Sequence, residues 1–130
     1  MGDKTRRLVD AMAAMSRGDV EAFGELLLAD DVVWHWGGRS SVAGDYHGRP
    51  AVLALVGGFR ELTGNRLVVE PLDVLEGDTY LMSFTHVTAS KDASELDVIM
   101  ADAMRFGPDD RVEEFWTLSN DQAAVDQFIG

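Results

Sequence analysis

The chain has 130 residues, 46% of them hydrophobic and 26% charged, a composition that predicts one soluble globular domain over residues 1–130. Its 23 acidic and 11 basic residues give a net charge of −12, so nucleic acid and anionic membrane surfaces are not expected as partners. There is no cysteine for disulfides or thiolate-ligated metals, no signal-peptide core and no apolar run near the ~20 residues of a membrane-spanning helix, so we expect a cytoplasmic protein.

The first half of the chain has the apolar spacing of helices. Between Lys4 and Arg17 apolar residues recur at helical spacing, and Gly18 follows where a helix would end. Asp19 is a suitable N-cap for a second helix. The segment VVWHW then predicts a strand, and the glycine-rich GGRSSVAGDYHG predicts a long exposed loop. Pro50 suits the first turn of a third helix, which ends at TGN and packs inward through Val52, Leu53, Leu55, Val56 and Phe59.

After residue 65 the apolar spacing changes to the alternation of strands. We predict strands near residues 66–75, 79–89, 94–107 and 111–119, separated by the hairpin-turn sequences EGD, KDAS and GPDD. The tail NDQAAVDQFI predicts a short helix or a segment that covers the strands. Helices followed by long strands indicate an α+β fold, with helices on one face of a curved antiparallel sheet.

The segment LDVIMADAMRF, residues 96–106, places one carboxylate in an apolar row. Strand side chains alternate between faces, so Asp102 shares a face with Leu96, Val98, Met100, Met104 and Phe106. A carboxylate without water loses its charge or costs several kcal/mol, which makes Asp102 the first candidate for a functional group. Alternatively, a bulge could turn Asp102 outward, or Arg105 or a backbone N–H could satisfy it as a structural acid.

His86 is the second ionisable candidate. It shares a strand face with Tyr80, Met82, Phe84 and Thr88. Histidine exchanges protons near neutral pH, so it would form a general acid/base couple with Asp102 if the hairpin register brought the two together. The alternative is a core histidine that is hydrogen-bonded to a carbonyl.

Aromatic residues supply candidate walls for a flat apolar ligand. Trp34 and Trp36 share one strand face, which suits either a pocket or a core, while His35 is expected on the other face, exposed or at an interface. Tyr46 and His47 lie in the loop before the third helix, where they contact a ligand or pack in a turn. In EEFWTLSND, Phe115 and Thr117 share one face and Trp116 and Leu118 the other, and the sequence leaves open which face lines the pocket. Asp121 resembles a helix cap.

Three segments carry a family resemblance: SRGDVEAFGELLLADDVVWHW, YHGRPAVLAL and MRFGPDDRVEEFWTLS. They resemble landmarks of the nuclear-transport-factor-2-like superfamily, in its SnoaL-like polyketide cyclase and ketosteroid isomerase branches. The resemblance implies a cone-shaped, strongly curved antiparallel (mixed) sheet wrapped around three N-terminal helices, with an apolar pocket at the open end. It also implies a homodimer, and it places Phe84 at a pocket-facing position.

The resemblance carries over to the isomerase site at only one position. Asp102 in DAMRF falls on the acid that those enzymes keep protonated in apolar surroundings as a hydrogen-bond donor. The position of their general base is Trp36 here, and the position of their oxyanion-hole tyrosine is Ala11 or Met12. A standard steroid isomerase is therefore not expected.

We predict a small enzyme without a cofactor that binds a small apolar metabolite and catalyses general acid/base proton transfer, of the isomerase, cyclase or epoxide-hydrolase type. Asp102 and His86 are the predicted catalytic residues. The predicted substrate-binding residues are Trp34, Trp36, Tyr46, Val56, Phe59, Met82, Phe84, Met100, Phe115 and Thr117. No metal site is predicted, because the three histidines lack ligand spacing. The alternatives are a non-catalytic protein that binds a small hydrophobic ligand and a protein-interaction module that uses the outer sheet face.

Overall fold

A computed structural model describes residues 2–64 and 66–130, and within them the chain forms four helices. They are α1 Asp3–Ser16, α2 Val20–Leu27, α3 Arg49–Leu62 and α4 Gln122–Ile129. Two aspartates cap helices as their sequence positions suggest: Asp19 accepts a hydrogen bond from Ala22 N and Asp121 accepts one from Ala124 N, each at 3.1 Å. Helix α3 ends before the TGN segment, of which Asn65 lies outside the described residues. None of the described helices is long and apolar enough to cross a bilayer.

The strands form one open, mixed sheet. They are β1 Leu28–Trp36, β2 Gly44–His47, β3 Val68–Glu76, β4 Tyr80–Lys91, β5 Ser94–Phe106 and β6 Val112–Ser119. Their order is β2-β1-β6-β5-β4-β3, and every neighbouring pair is antiparallel except β1 and β6, which are parallel. The α+β class is thus confirmed. The expected exposed loop between β1 and α3 is wrong in part, because Gly44–His47 forms an edge strand that pairs antiparallel with Val33–Trp36.

Helices cover one face of the sheet, which we call the inner face. In β4 the buried residues are Leu81, Ser83, Thr85, Val87 and Ala89, alternating with more exposed neighbours. Two apolar clusters fill the space between this face and the helices. The first contains Leu8 and Leu27 from the helices against Met104 and Phe115. The second packs Phe128 and Ile129 of α4 against Val98 and Met100.

The opposite, outer face keeps several large apolar side chains in solvent. Leu75, Tyr80, Ile99 and Leu118 are 40 to 58% exposed. Met82, Phe84 and His86 also lie on this face, because β4 buries its odd-numbered positions. The predictions that Met82, Phe84 and His86 face a pocket are therefore wrong. The odd-numbered residues of β4 point inward, and the prediction had chosen the even-numbered ones. In β6 the open question is settled: Phe115 and Thr117 point inward, while Trp116 and Leu118 point outward.

Candidate active site

Asp102 lies on the inner face, in the middle of β5. Its cross-strand neighbours are Ser83 of β4 and Thr117 of β6. The bulge in the β5–β6 pairing falls between Arg105 and Phe106, so it does not turn Asp102 outward. Arg105 cannot neutralise Asp102 either, because its guanidinium pairs with Glu113 at 2.8 Å and with Glu114 at 3.5 Å. Neither the bulge nor Arg105 therefore accounts for Asp102, and within the described residues no backbone N–H donates to its carboxyl group.

A chain of two hydrogen bonds ends on this carboxyl group. Trp34 Nε1 donates to Thr117 Oγ1 at 2.8 Å, and Thr117 Oγ1 donates to Asp102 Oδ1 at 2.9 Å. Trp34 and Thr117 are buried, and the indole of Trp34 stacks on Phe115 with 3.7 Å between ring centroids. Among the described residues, Thr117 is the only hydrogen-bond partner of the Asp102 side chain. The hydrogen bond from Thr117 therefore holds Oδ1 in place and leaves Oδ2 without a hydrogen-bond partner among the described residues.

The pKa of Asp102 is raised from 3.8 to about 6. Burial is the main cause, since it penalises the charged carboxylate, and the hydrogen bond from Thr117 partly offsets it by favouring that form. The residue as a whole is half-buried, so a part of its surface remains accessible. Asp102 can therefore change its protonation state near neutral pH, which an ordinary surface aspartate does not do.

A cavity of about 520 Å³ lies between α3, the segment before β2 and the end of α4. Its lining is largely apolar and consists of Ser41, Val42, Tyr46, Ala51, Ala54, Leu55, Gly58, Phe59, Leu62 and Ile129. Asp102 is not part of this lining. Trp36 connects the two regions: its ring lies 5.9 Å from that of Phe59, and its backbone is paired with Thr117. The volume suits a small organic ligand.

The structure brings together some of the predicted site residues and separates others. Trp34, Phe115 and Thr117 surround Asp102 as packing and hydrogen-bonding partners. Tyr46 and Phe59 line the cavity. Two further predicted residues belong to the apolar packing rather than to the cavity lining: the partly buried Val56 packs against the first apolar cluster, and Met100 belongs to the second.

His86 is not near Asp102. It lies opposite Ile99 on the outer face, and its Nε2 is 2.7 Å from Asp97 Oδ1. The predicted acid/base couple of His86 with Asp102 is therefore wrong. The structural reason is that Leu81 and Val87 compete with Met82 and Phe84 for the interior, and the first pair occupies it.

Sequence reasoning missed Ser83 and Thr85, which lie on the inner face beside and near Asp102. Both residues alternate with Leu81 and Val87 along β4, which could have indicated a shared inner face. The other face of the same strand is equally apolar, so this pattern did not identify them. It also missed most of the cavity lining, which comes from small residues of α3 and from the segment before β2. Such residues have no chemical signature in a sequence.

His35 occupies the outer face, as predicted, in a charged cluster. Its Nδ1 is 2.7 Å from Asp45 Oδ1 and its Nε2 is 2.6 Å from Glu114 Oε2. These hydrogen bonds, to Asp45 first and Glu114 second, raise the pKa of His35. The cluster joins β1 to β2 and β6. Within residues 2–64 and 66–130, no group of three or more histidine, aspartate or glutamate side chains is arranged to hold a metal ion.

Several solved structures share this fold. Bal32a from a soil-derived mobile gene cassette is 29% identical, with a TM-score of 0.91 over 98% of this chain and 96% of that chain. A protein of unknown function with a cystatin-like fold from Xanthomonas campestris is 20% identical, with a TM-score of 0.89 over 99% of both chains. TerC, co-crystallised with polyporic acid, is 12% identical, with a TM-score of 0.84 over 98% of both chains.

No curated protein matches the sequence. Residues 6–115 match the family model of the SnoaL-like domain, which covers most of the chain. An NTF2-like protein of unknown function from Burkholderia pseudomallei, 17% identical, shares the fold with a TM-score of 0.84 over 99% of this chain and 98% of that chain. By the family match, the chain belongs to the SnoaL-like domain family.

Proposed function

We propose that this SnoaL-like protein is a small enzyme that works without a cofactor, binds an apolar small molecule and transfers a proton through the Asp102 carboxyl group. The supporting observation is that this carboxyl lies on the helix-covered face, with one oxygen held by Thr117 and the other available. A pKa raised to about 6 gives the group access to both protonation states near neutral pH.

The carboxyl can serve in either of two ways. Its protonated form can donate a hydrogen bond or a proton to a carbonyl, enol or epoxide oxygen, while its ionised form can accept a proton from an acidic C–H. A reaction that needs the protonated form slows as the pH rises through about 6, and one that needs the ionised form slows as the pH falls through it. The pH profile therefore assigns the role.

The ligand class follows from the cavity. Its lining offers apolar and aromatic surface, and the hydroxyl of Tyr46 already donates to the carbonyl of Val42. A net charge of −12 opposes the approach of anions. An uncharged apolar molecule, such as a substrate of an isomerase, a cyclase or an epoxide hydrolase, fits both the apolar lining and the negative net charge.

Proton exchange from an apolar ketone provides the test. We would incubate 2-tetralone with the protein in D₂O and follow loss of the C–H signal by NMR, comparing the wild type with Asp102→Asn. The matched control is Asp97→Asn, on the outer face of the same strand. Wild type and Asp97→Asn should accelerate exchange, and Asp102→Asn should lose roughly 100-fold or more of that acceleration. Equal acceleration by Asp102→Asn, or none by the wild type, contradicts the proposal.

The position of the cavity favours one alternative, a non-catalytic ligand-binding protein. Asp102 does not belong to the cavity lining, so a ligand seated there need not contact it. For such a protein, 2-tetralone or another apolar ketone would raise the melting temperature equally in the wild type and Asp102→Asn, with no proton exchange in either.

We also propose that the outer sheet face pairs two copies of the chain. The exposed Leu75, Ile99 and Leu118 provide an apolar centre there. Along this face β5 carries Asp97 near one end and Arg105 near the other. A two-fold axis between them would bring Arg105 of each copy towards Asp97 of the other. Sedimentation should give a dimer, and Ile99→Asp should give a monomer. A wild-type monomer at micromolar concentration contradicts this pairing.

A further inference from the structure

The hydrogen-bond chain from Trp34 to Asp102 has a direction. An indole N–H can only donate, so Thr117 Oγ1 must accept from Trp34. The Thr117 hydroxyl hydrogen then needs an acceptor of its own. Asp102 Oδ1 at 2.9 Å is the only one that it has among the described residues. Both buried groups are fully satisfied only when the donors point from Trp34 to Thr117 to Asp102.

This direction constrains where a proton on Asp102 sits. If the proton were on Oδ1, it would point at Thr117 Oγ1, and the Thr117 hydroxyl hydrogen would lose its acceptor. A buried unsatisfied hydroxyl is unfavourable, whereas a proton on Oδ2 leaves every bond of the chain intact. The Trp34 N–H strengthens this preference for Oδ2. Without it, a proton on Oδ2 would leave the Thr117 oxygen without a donor, and a proton on Oδ1 would leave the Thr117 hydroxyl hydrogen without an acceptor.

We propose that Thr117, oriented by the indole N–H of Trp34, is a positioning residue that directs the exchangeable proton of Asp102 to Oδ2. Thr117 and Trp34 thereby choose which carboxyl oxygen meets a substrate, a consequence that rests on the proposed function of Asp102. The preference for Oδ2 itself is a property of the free protein and can be measured without a substrate.

Infrared spectroscopy of the carboxyl C=O stretch distinguishes the two oxygens. With the proton on Oδ2, the C=O oxygen is Oδ1, which accepts from Thr117, and that hydrogen bond lowers the stretching frequency. The band of Asp102 is identified by its absence in Asp102→Asn. Thr117→Val should shift the band to higher frequency, while Thr117→Ser should keep it in place. Trp34→Phe retains a ring to stack on Phe115 and should split or broaden the band, because the two proton positions become similar in free energy.

The pH at which this band falls to half its intensity is the pKa of Asp102 and gives a second readout. Thr117→Val removes the donor that favours the ionised carboxyl, so the pKa of Asp102 should rise above its wild-type value, and Thr117→Ser should restore it. If Thr117→Val fails to fold, Thr117→Ala removes the same donor. An unchanged frequency and midpoint in the folded variant overturns the proposal. An Asp102 band that behaves as expected, without Asp102-dependent exchange of 2-tetralone, refutes the proposed function and leaves the proton position standing.

Discussion

Replacing Asp102 with asparagine should stabilise the protein, by an amount that increases with pH. The folded-state pKa of Asp102 is raised from 3.8 to about 6, so between these values the folded protein binds a proton that the unfolded chain has released. The free energy of unfolding of the wild type therefore falls as the pH rises through this window. Each pKa unit corresponds to ~1.4 kcal/mol, so about two units cost the wild type about 3 kcal/mol at most. Water reaching the accessible part of Asp102 makes this an upper bound.

The asparagine side chain has a similar shape and can still accept from Thr117, but it carries no charge at any pH. Urea unfolding of both proteins across a series from about pH 4 to about pH 8 gives the difference between their free energies of unfolding. That difference should change in favour of Asp102→Asn by about 2 to 3 kcal/mol, mostly below about pH 7, because the titration of other carboxyl groups cancels between the proteins. A difference that is flat with pH would refute the view of Asp102 as a desolvated acid.

Three further predictions concern the cavity and the two histidine clusters. Gly57→Leu and Gly58→Leu both add a side chain where no atom lies within 4 Å of the new Cβ, but only Gly58 lines the cavity, so only Gly58→Leu should abolish the thermal shift caused by an apolar ketone. His86→Gln should leave proton exchange unchanged and alter the free energy of unfolding by less than ~1 kcal/mol, because it changes only a solvent-exposed contact with Asp97 on the outer face; a large loss of exchange would contradict its placement. The hydrogen bonds with Asp45 and Glu114 that raise the pKa of His35 stabilise the fold below the unfolded pKa of 6.5, and this stabilisation is lost as the pH rises through the folded value. His35→Gln should therefore destabilise the protein more at about pH 5.5 than at about pH 9; equal destabilisation at these two pH values in urea unfolding would contradict this.

The α+β class and most of the elements could be predicted from local patterns. The caps Asp19 and Asp121 and the apolar spacing of α1 and α3 mark helices by short-range rules, and the turn sequences mark the three hairpins that join β3 to β6. The burial of Asp102 also followed from its own strand, because the even-numbered phase of β5 carries large apolar residues along its whole length, whereas the odd-numbered phase carries Glu95, Asp97 and Arg105 towards its ends. Such inferences need no knowledge of distant parts of the chain.

The failures come from features that distant residues decide. Strand β4 is apolar on both faces, and only packing against the helices selects Leu81 and Val87 over Met82 and Phe84. The short strand β2 forms because β1 offers it an edge, although its own sequence is that of a loop. The contact of Thr117 with Asp102 depends on the register of β5 with β6 and that of Thr117 with Trp34 on the parallel pairing of β1 with β6, neither of which the sequence specifies locally.

The most direct test of this account is the pKa of Asp102 itself. In protein labelled with ¹³C at the aspartate carboxyl carbons, the Asp102 resonance can be assigned by its loss in Asp102→Asn and followed through a pH titration by NMR. A midpoint near 6, with the other aspartates titrating at lower pH, is the predicted result. A midpoint near 3.8 would show a solvated carboxylate and would contradict the account.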